Sequence, residues 1–212
     1  HQRLATQMHD ADTRGEKFNL SARTDAFRSV TELSVYTEDH PGLFSQLAGA
    51  VAMCGANILD AKIFTTSDGM AMDIFSVQDA NGLPISEMRQ VQRISETMQR
   101  VLTGTIVPRN VIDAKMVKKR EEAFRVEPQV LIDNAASDTH TVIEVNGRDR
   151  PGLLHDLTRA LFVARLSIHS AQVTTYGERA VDVFYVKDVY GLKITHPQRI
   201  QDIRGKVLEA LG

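Results

Sequence analysis

The chain has 212 residues, of which 42% are hydrophobic and 25% charged, and its formal net charge is -2. Such a composition fits a globular chain of one large or two small domains, and the near-neutral balance gives no pull toward nucleic acid or an acidic membrane. Cys54 is the only cysteine, which excludes an internal disulfide and fits a reducing, cytoplasmic setting; no apolar run nears the roughly 18 residues of a membrane span.

Residues 1–16 are polar, lack an initiator Met and lack a signal-peptide core, so they are expected to be a linker or the tail of a preceding domain. "HDAD", His9 to Asp12, sits in this leader without the further ligands that a metal site needs. Phe18 to Arg23 reads as a strand, and "TELSVYTE" alternates apolar and polar residues as a half-buried strand does. After "EDHPGLF", Leu43, Leu47, Val51 and Cys54 recur at helical spacing, and Gly55 is placed to end that helix in a left-handed conformation. "NILDAKIFTT" and "MAMDIFSV" flank "SDG" and read as a hairpin. Ser86 is placed to cap a second helix, whose apolar side is Val91, Ile94, Met98, Val101 and Leu102. A long charged connection follows, with a surface helix expected in "AKMVKKREEAF", and then a strand in "PQVLIDNA".

From "THTVIEVN" onward the pattern repeats. At an offset of 110 residues, Pro41, Gly42, Leu43, Leu47, Ile58, Ala61 and Thr65 match Pro151, Gly152, Leu153, Leu157, Ile168, Ala171 and Thr175. After a one-residue gap, Asp73, Phe75, Val77, Asp79 and Gly82 match Asp182, Phe184, Val186, Asp188 and Gly191. Arg165 stands where repeat one has Gly55, so a different helix ending is expected there. Two domains of one fold follow, assigned to residues 17–137 and 138–212. A split βαβ sheet needs a strand after its second helix, and repeat two has none. "PQVLIDNA" is the candidate for repeat one, and Phe18 to Arg23 is free to complete repeat two, which would exchange strands between the halves.

The repeated loop carries the candidate site. Asp39 and Asp149 are placed to cap the following helix, and Pro41 and Pro151 suit a first helical turn. Gly42 and Gly152 let a backbone or ligand come close. Unsatisfied N–H groups at the helix start suit the carboxylate of a free amino acid. Its ammonium needs an acceptor, either the Asp side chain or a strand carbonyl near Ile58 or Ile168, and Asn57 and Ser167 can complete the contacts. The candidate ligand-binding set is therefore Asp39, His40, Pro41, Gly42, Leu43, Asn57 and Ile58, with Asp149, Arg150, Pro151, Gly152, Leu153, Ser167 and Ile168. His155-Asp156 is expected to be a surface pair, and Cys54 a core residue. No catalytic or metal constellation is present.

Strand, D-x-P-G-L, helix, and "N-I" opening the next strand resemble the ACT domain, a small-molecule sensing module. Two such repeats, with "D-x-x-G-L" after the third strand and a long segment between them, resemble the regulatory region of bacterial bifunctional uridylyltransferase/uridylyl-removing enzymes. The resemblance implies an α+β fold of two ferredoxin-like βαββαβ domains, antiparallel sheets with helices on one face. It implies L-glutamine as allosteric effector, PII signalling proteins as partner through the parent enzyme, and no chemistry in this stretch. A nucleotidyltransferase and an HD-type hydrolase would lie upstream, with a divalent metal such as magnesium. It leaves open pairing of two chains through ACT sheets, another amino acid as effector, and a dimerisation module that binds nothing.

Overall fold

The computed structural model describes residues 18–66, 68–108, 126–176 and 178–212. The leader with "HDAD" and the charged segment with "AKMVKKREEAF" fall largely or wholly outside them. Repeat one comprises β1 (Phe18–Asp25), β2 (Val30–Glu38), α1 (Leu43–Met53), β3 (Asn57–Thr65), β4 (Met70–Gln78) and α2 (Met88–Leu102). Repeat two comprises β5 (Gln129–Asp133), β6 (Thr141–Arg148), α3 (Leu153–Val163), β7 (Leu166–Tyr176), β8 (Arg179–Asp188) and α4 (Pro197–Leu211). Among the described residues no helix is long and apolar enough to cross a membrane.

The eight strands of the described residues form one sheet in the order β1-β2-β4-β3-β7-β8-β6-β5. Every described pairing is antiparallel, and each half has the strand arrangement of a ferredoxin-like sheet. The expected strand exchange does not occur. β1 pairs with β2 of its own repeat, Leu20 opposite Val35, and β5 pairs with β6, Val130 opposite Val145. The strand that closes each half-sheet therefore precedes its repeat, and chain order is ββαββα where βαββαβ was expected. The reason is local: a short connection to an antiparallel neighbour closes a smaller loop than a crossing to the other repeat.

The halves join where β3 meets β7, with Ala61 opposite Ala171. Leu33, Val35, Phe75 and Val77 face the helices from one half, and Ile143, Val145, Phe184 and Val186 from the other, in one continuous core. The helices cover that face in the order α2-α1-α3-α4. α1 lies at the centre and buries Leu43, Phe44, Leu47, Ala48, Ala50 and Val51, as an almost wholly apolar helix must. Phe44 stacks on Phe75 with ring centroids 5.5 Å apart.

α1 and α3 meet across the pseudo-twofold axis. His155 is 5% exposed, contrary to the expected surface pair, and its Nδ1 lies 2.8 Å from the Ser45 carbonyl oxygen. Its neighbour Asp156 forms an ion pair with Arg150 at 2.6 Å. Gly49 sits at the same crossing; a Cβ there would lie 2.6 Å from the Pro108 ring and 2.8 Å from His155. Ser86 is not a cap either: Glu87 occupies that position, with no side-chain bond to the helix.

Candidate functional site

The loop after β2 shapes the start of α1. Gly42 takes the N-cap position at φ +85°, and Leu43 N–H bonds the His40 carbonyl. Gly152 does the same at φ +81°. Only glycine adopts this left-handed conformation without strain, so the glycine, not the aspartate, occupies the cap. The expected Asp caps are thereby corrected. Asp39 instead accepts a 2.9 Å hydrogen bond from the Thr65 hydroxyl, and its N–H bonds the Gly69 carbonyl. The first helical bond runs from Gln46 N–H to the Gly42 carbonyl. Phe44 and Ser45 N–H precede it, at the positive end of the helix dipole.

Gly55 ends α1 at φ +76°, as expected. Arg165 ends α3 in the same conformation, at φ +58°, where a different ending was expected. In both repeats the left-handed residue is the second one after the helix, on a connection of three residues in repeat one and two in repeat two. Arg165 lacks the glycine's freedom and bears the strain.

Between the loop of repeat one and the end of α3 lies a cleft of about 660 Å³. One wall is Asp39, His40, Pro41, Gly42 and Leu43; the facing wall is Phe162, Val163, Arg165, Ser167, Ile168 and His169. Phe162, Val163 and Val189 leave apolar surface exposed along it. Asp73, on β4 between Val35 and Ile63, lies beneath the loop and lines the same cleft. It is 1% exposed, and neither carboxyl oxygen has a hydrogen-bond partner among the described residues. Burial, and secondarily the charge of Asp39, pushes its carboxyl up to about 8. Asp182 is the counterpart in repeat two. Burial and then Asp149 push it up to about 7, while a backbone hydrogen bond at Thr174 pulls the other way. His169 is held below the usual imidazole range by burial, then by His140 and Lys187; the His140 ring lies 4.8 Å away, edge to face.

Comparison with known proteins is consistent with this architecture. The ACT domain model matches residues 31–86, and a model described as an ACR9-like, ACT-like domain matches residues 129–211. The chain is 50% identical over 212 residues to the bifunctional uridylyltransferase/uridylyl-removing enzyme of Gluconobacter oxydans, covering 99% of this chain and 22% of that protein. It is 51% identical over 196 residues to the enzyme of the same name from Azospirillum brasilense, covering 91% and 21%.

The chain is a tandem of ACT domains.

It spans about a fifth of the length of those relatives. Among solved structures, aspartate kinase from Synechocystis aligns at 15% identity and TM-score 0.39, covering 76% of this chain and 25% of that one.

Of the residues expected at an ACT ligand site, Asp39, His40, Pro41, Gly42 and Leu43 meet Ser167 and Ile168 of the other ACT domain. The grouping crosses between domains, whereas Asn57 and Ile58 were paired with the loop of their own domain. They do not line this cleft; the Asn57 amide donates to the Asp79 carbonyl at 3.4 Å. Asp149, Arg150, Pro151, Gly152 and Leu153 also lie elsewhere, and Arg150 is occupied by Asp156 and the Ala210 carbonyl. Asp73 and Arg165 are additions that the loop motif alone does not indicate. Asp73 has a sequence signal: an acidic residue in the core-facing register between Ala71 and Phe75.

Proposed function

We propose that this tandem is an amino-acid sensing region whose effector, L-glutamine, binds between the loop of ACT domain one and the α3–β7 turn of ACT domain two. The carrying observation is the cleft itself, which joins a helix N-terminus to buried and exposed carboxylates. Phe44 and Ser45 N–H groups suit the ligand carboxylate, and the acidic side suits its ammonium. A ligand held by both domains favours one relative arrangement of them, which is what a regulatory signal needs.

In a parent enzyme like the relatives, glutamine would switch off uridylyl transfer to PII proteins and switch on removal. A coupling of about 1–3 kcal/mol changes activity by roughly 5- to 150-fold. The parent would hold its divalent metal in catalytic domains outside this region. The apolar strip of Phe162, Val163 and Val189 favours a second reading, an effector with an apolar side chain.

Calorimetric titration of the chain with a panel of amino acids decides between them. Glutamine binding at one site is the expected result. Tighter binding of leucine or another apolar amino acid selects the second reading, and no binding by any of them overturns both.

A further inference from the structure

We propose that Asp73 receives the effector's ammonium group and that binding there releases a proton from Asp73 to solvent. The inference rests on the reading of the cleft as an amino-acid site. Residues 71, 73, 75 and 77 of β4 face the helices, and Asp73 is the acidic one, in the half of the strand nearer its start and lining the cleft with the loop. Phe75 and Val77 in the same row are wholly buried core residues. A carboxyl in that row with no partner for either oxygen among the described residues is costly as an anion and tolerable as an acid. The cleft reaches it, so a cation entering there supplies the missing partner. The neutral acid becomes the carboxylate, its proton goes to the buffer, and no bond to the ligand forms except hydrogen bonds.

The charged and titratable groups facing Asp73 across the cleft are Asp39 and His40 on the loop, and Arg165 and His169 on the opposite wall. Asp39 opposes ionisation of Asp73 in the empty cleft. Its strand neighbours Val35 and Ile63 carry no charge. Asp182 differs, because a backbone hydrogen bond at Thr174 already favours its ionised form.

The test is calorimetric titration of the chain with L-glutamine, in phosphate and in Tris, from about pH 6.5 to about pH 7.5. A carboxyl that ionises on binding and titrates near 8 when empty makes affinity rise roughly five- to tenfold across that unit. The heat should differ between the buffers by close to one released proton. Asp73→Asn, which mimics the neutral acid in shape, should bind at least about tenfold more weakly and lose that proton release. 4-Carbamoylbutanoate, which keeps the carboxylate and amide but lacks the amine, should bind wild type and variant alike without releasing a proton. Proton release that persists in Asp73→Asn comes from another group and overturns the proposal. Should the variant fail to fold, glutamine binding to wild type with the same heat in both buffers overturns it alone. Binding without proton release leaves the sensing reading standing; absence of binding by any amino acid removes both.

Discussion

Asp73 and Asp182 also govern the stability of the empty protein. Each carboxyl sits above the value of about 3.9 expected in the unfolded chain, at about 8 and about 7. The folded state therefore holds more protons than the unfolded state between those values, and its stability falls as pH rises. Their contribution is fully present below about pH 4 and is lost as pH climbs through about 7 and 8. Without ligand, the thermal midpoint should decline toward pH 8, and an Asp73→Asn, Asp182→Asn double variant should flatten the decline. An unchanged slope in the variant would show that other groups set it. Arg165 offers a second residue-scale test. Arg165→Gly removes the left-handed strain and should raise unfolding free energy by about 1 kcal/mol in urea titration. Both effects were only partly legible in sequence. The alternation of β4 marks Asp73 as core-facing, but its lack of a partner is a fact of three dimensions. At Arg165 the residue type argued against the left-handed turn, yet the helix ends in the same conformation as at Gly55.

At the scale of elements, the α1–α3 crossing is a close-packed joint between the two ACT domains. Gly49 is the small residue that lets Pro108 and His155 approach α1. Gly49→Ala should cost about 1–3 kcal/mol through overpacking, despite alanine's better helix propensity. Measured stability equal to or above wild type would mean that the crossing shifts apart freely. The helices and hairpins were legible because hydrophobic period and Gly-containing turns, Asp-Gly in the first hairpin, are local signals. The partners of the two leading strands were not. A strand's alternation states that one face is buried, never which neighbour it joins, so Phe18 to Arg23 is expected from sequence to complete repeat two, and its pairing with Val30–Glu38 places it in repeat one instead. The helix starts were misplaced for a related reason. Asp at the loop is a good cap by type, yet the glycine's backbone begins the helix later.

At the scale of the whole molecule, sheet and core both run through the junction, so the two domains share one unfolding unit. β3 and β7 continue the hydrogen-bonded ladder, and the residues above it belong to a single apolar cluster. Thermal unfolding should accordingly show one transition, with calorimetric and van't Hoff enthalpies in agreement; two resolved transitions would mean that the domains unfold separately. The duplicated architecture was legible from the repeated motifs, whereas the pairing of loop one with Ser167 and Ile168 across the axis was not, because repeats in sequence carry no information on how two copies face each other. Covalent fusion of the copies has a genetic corollary. In a symmetric pair of identical chains, one codon change alters both equivalent loops at once. Here His40 and Arg150, or Gly55 and Arg165, are separate codons, so each half can be edited, or can drift, without its twin.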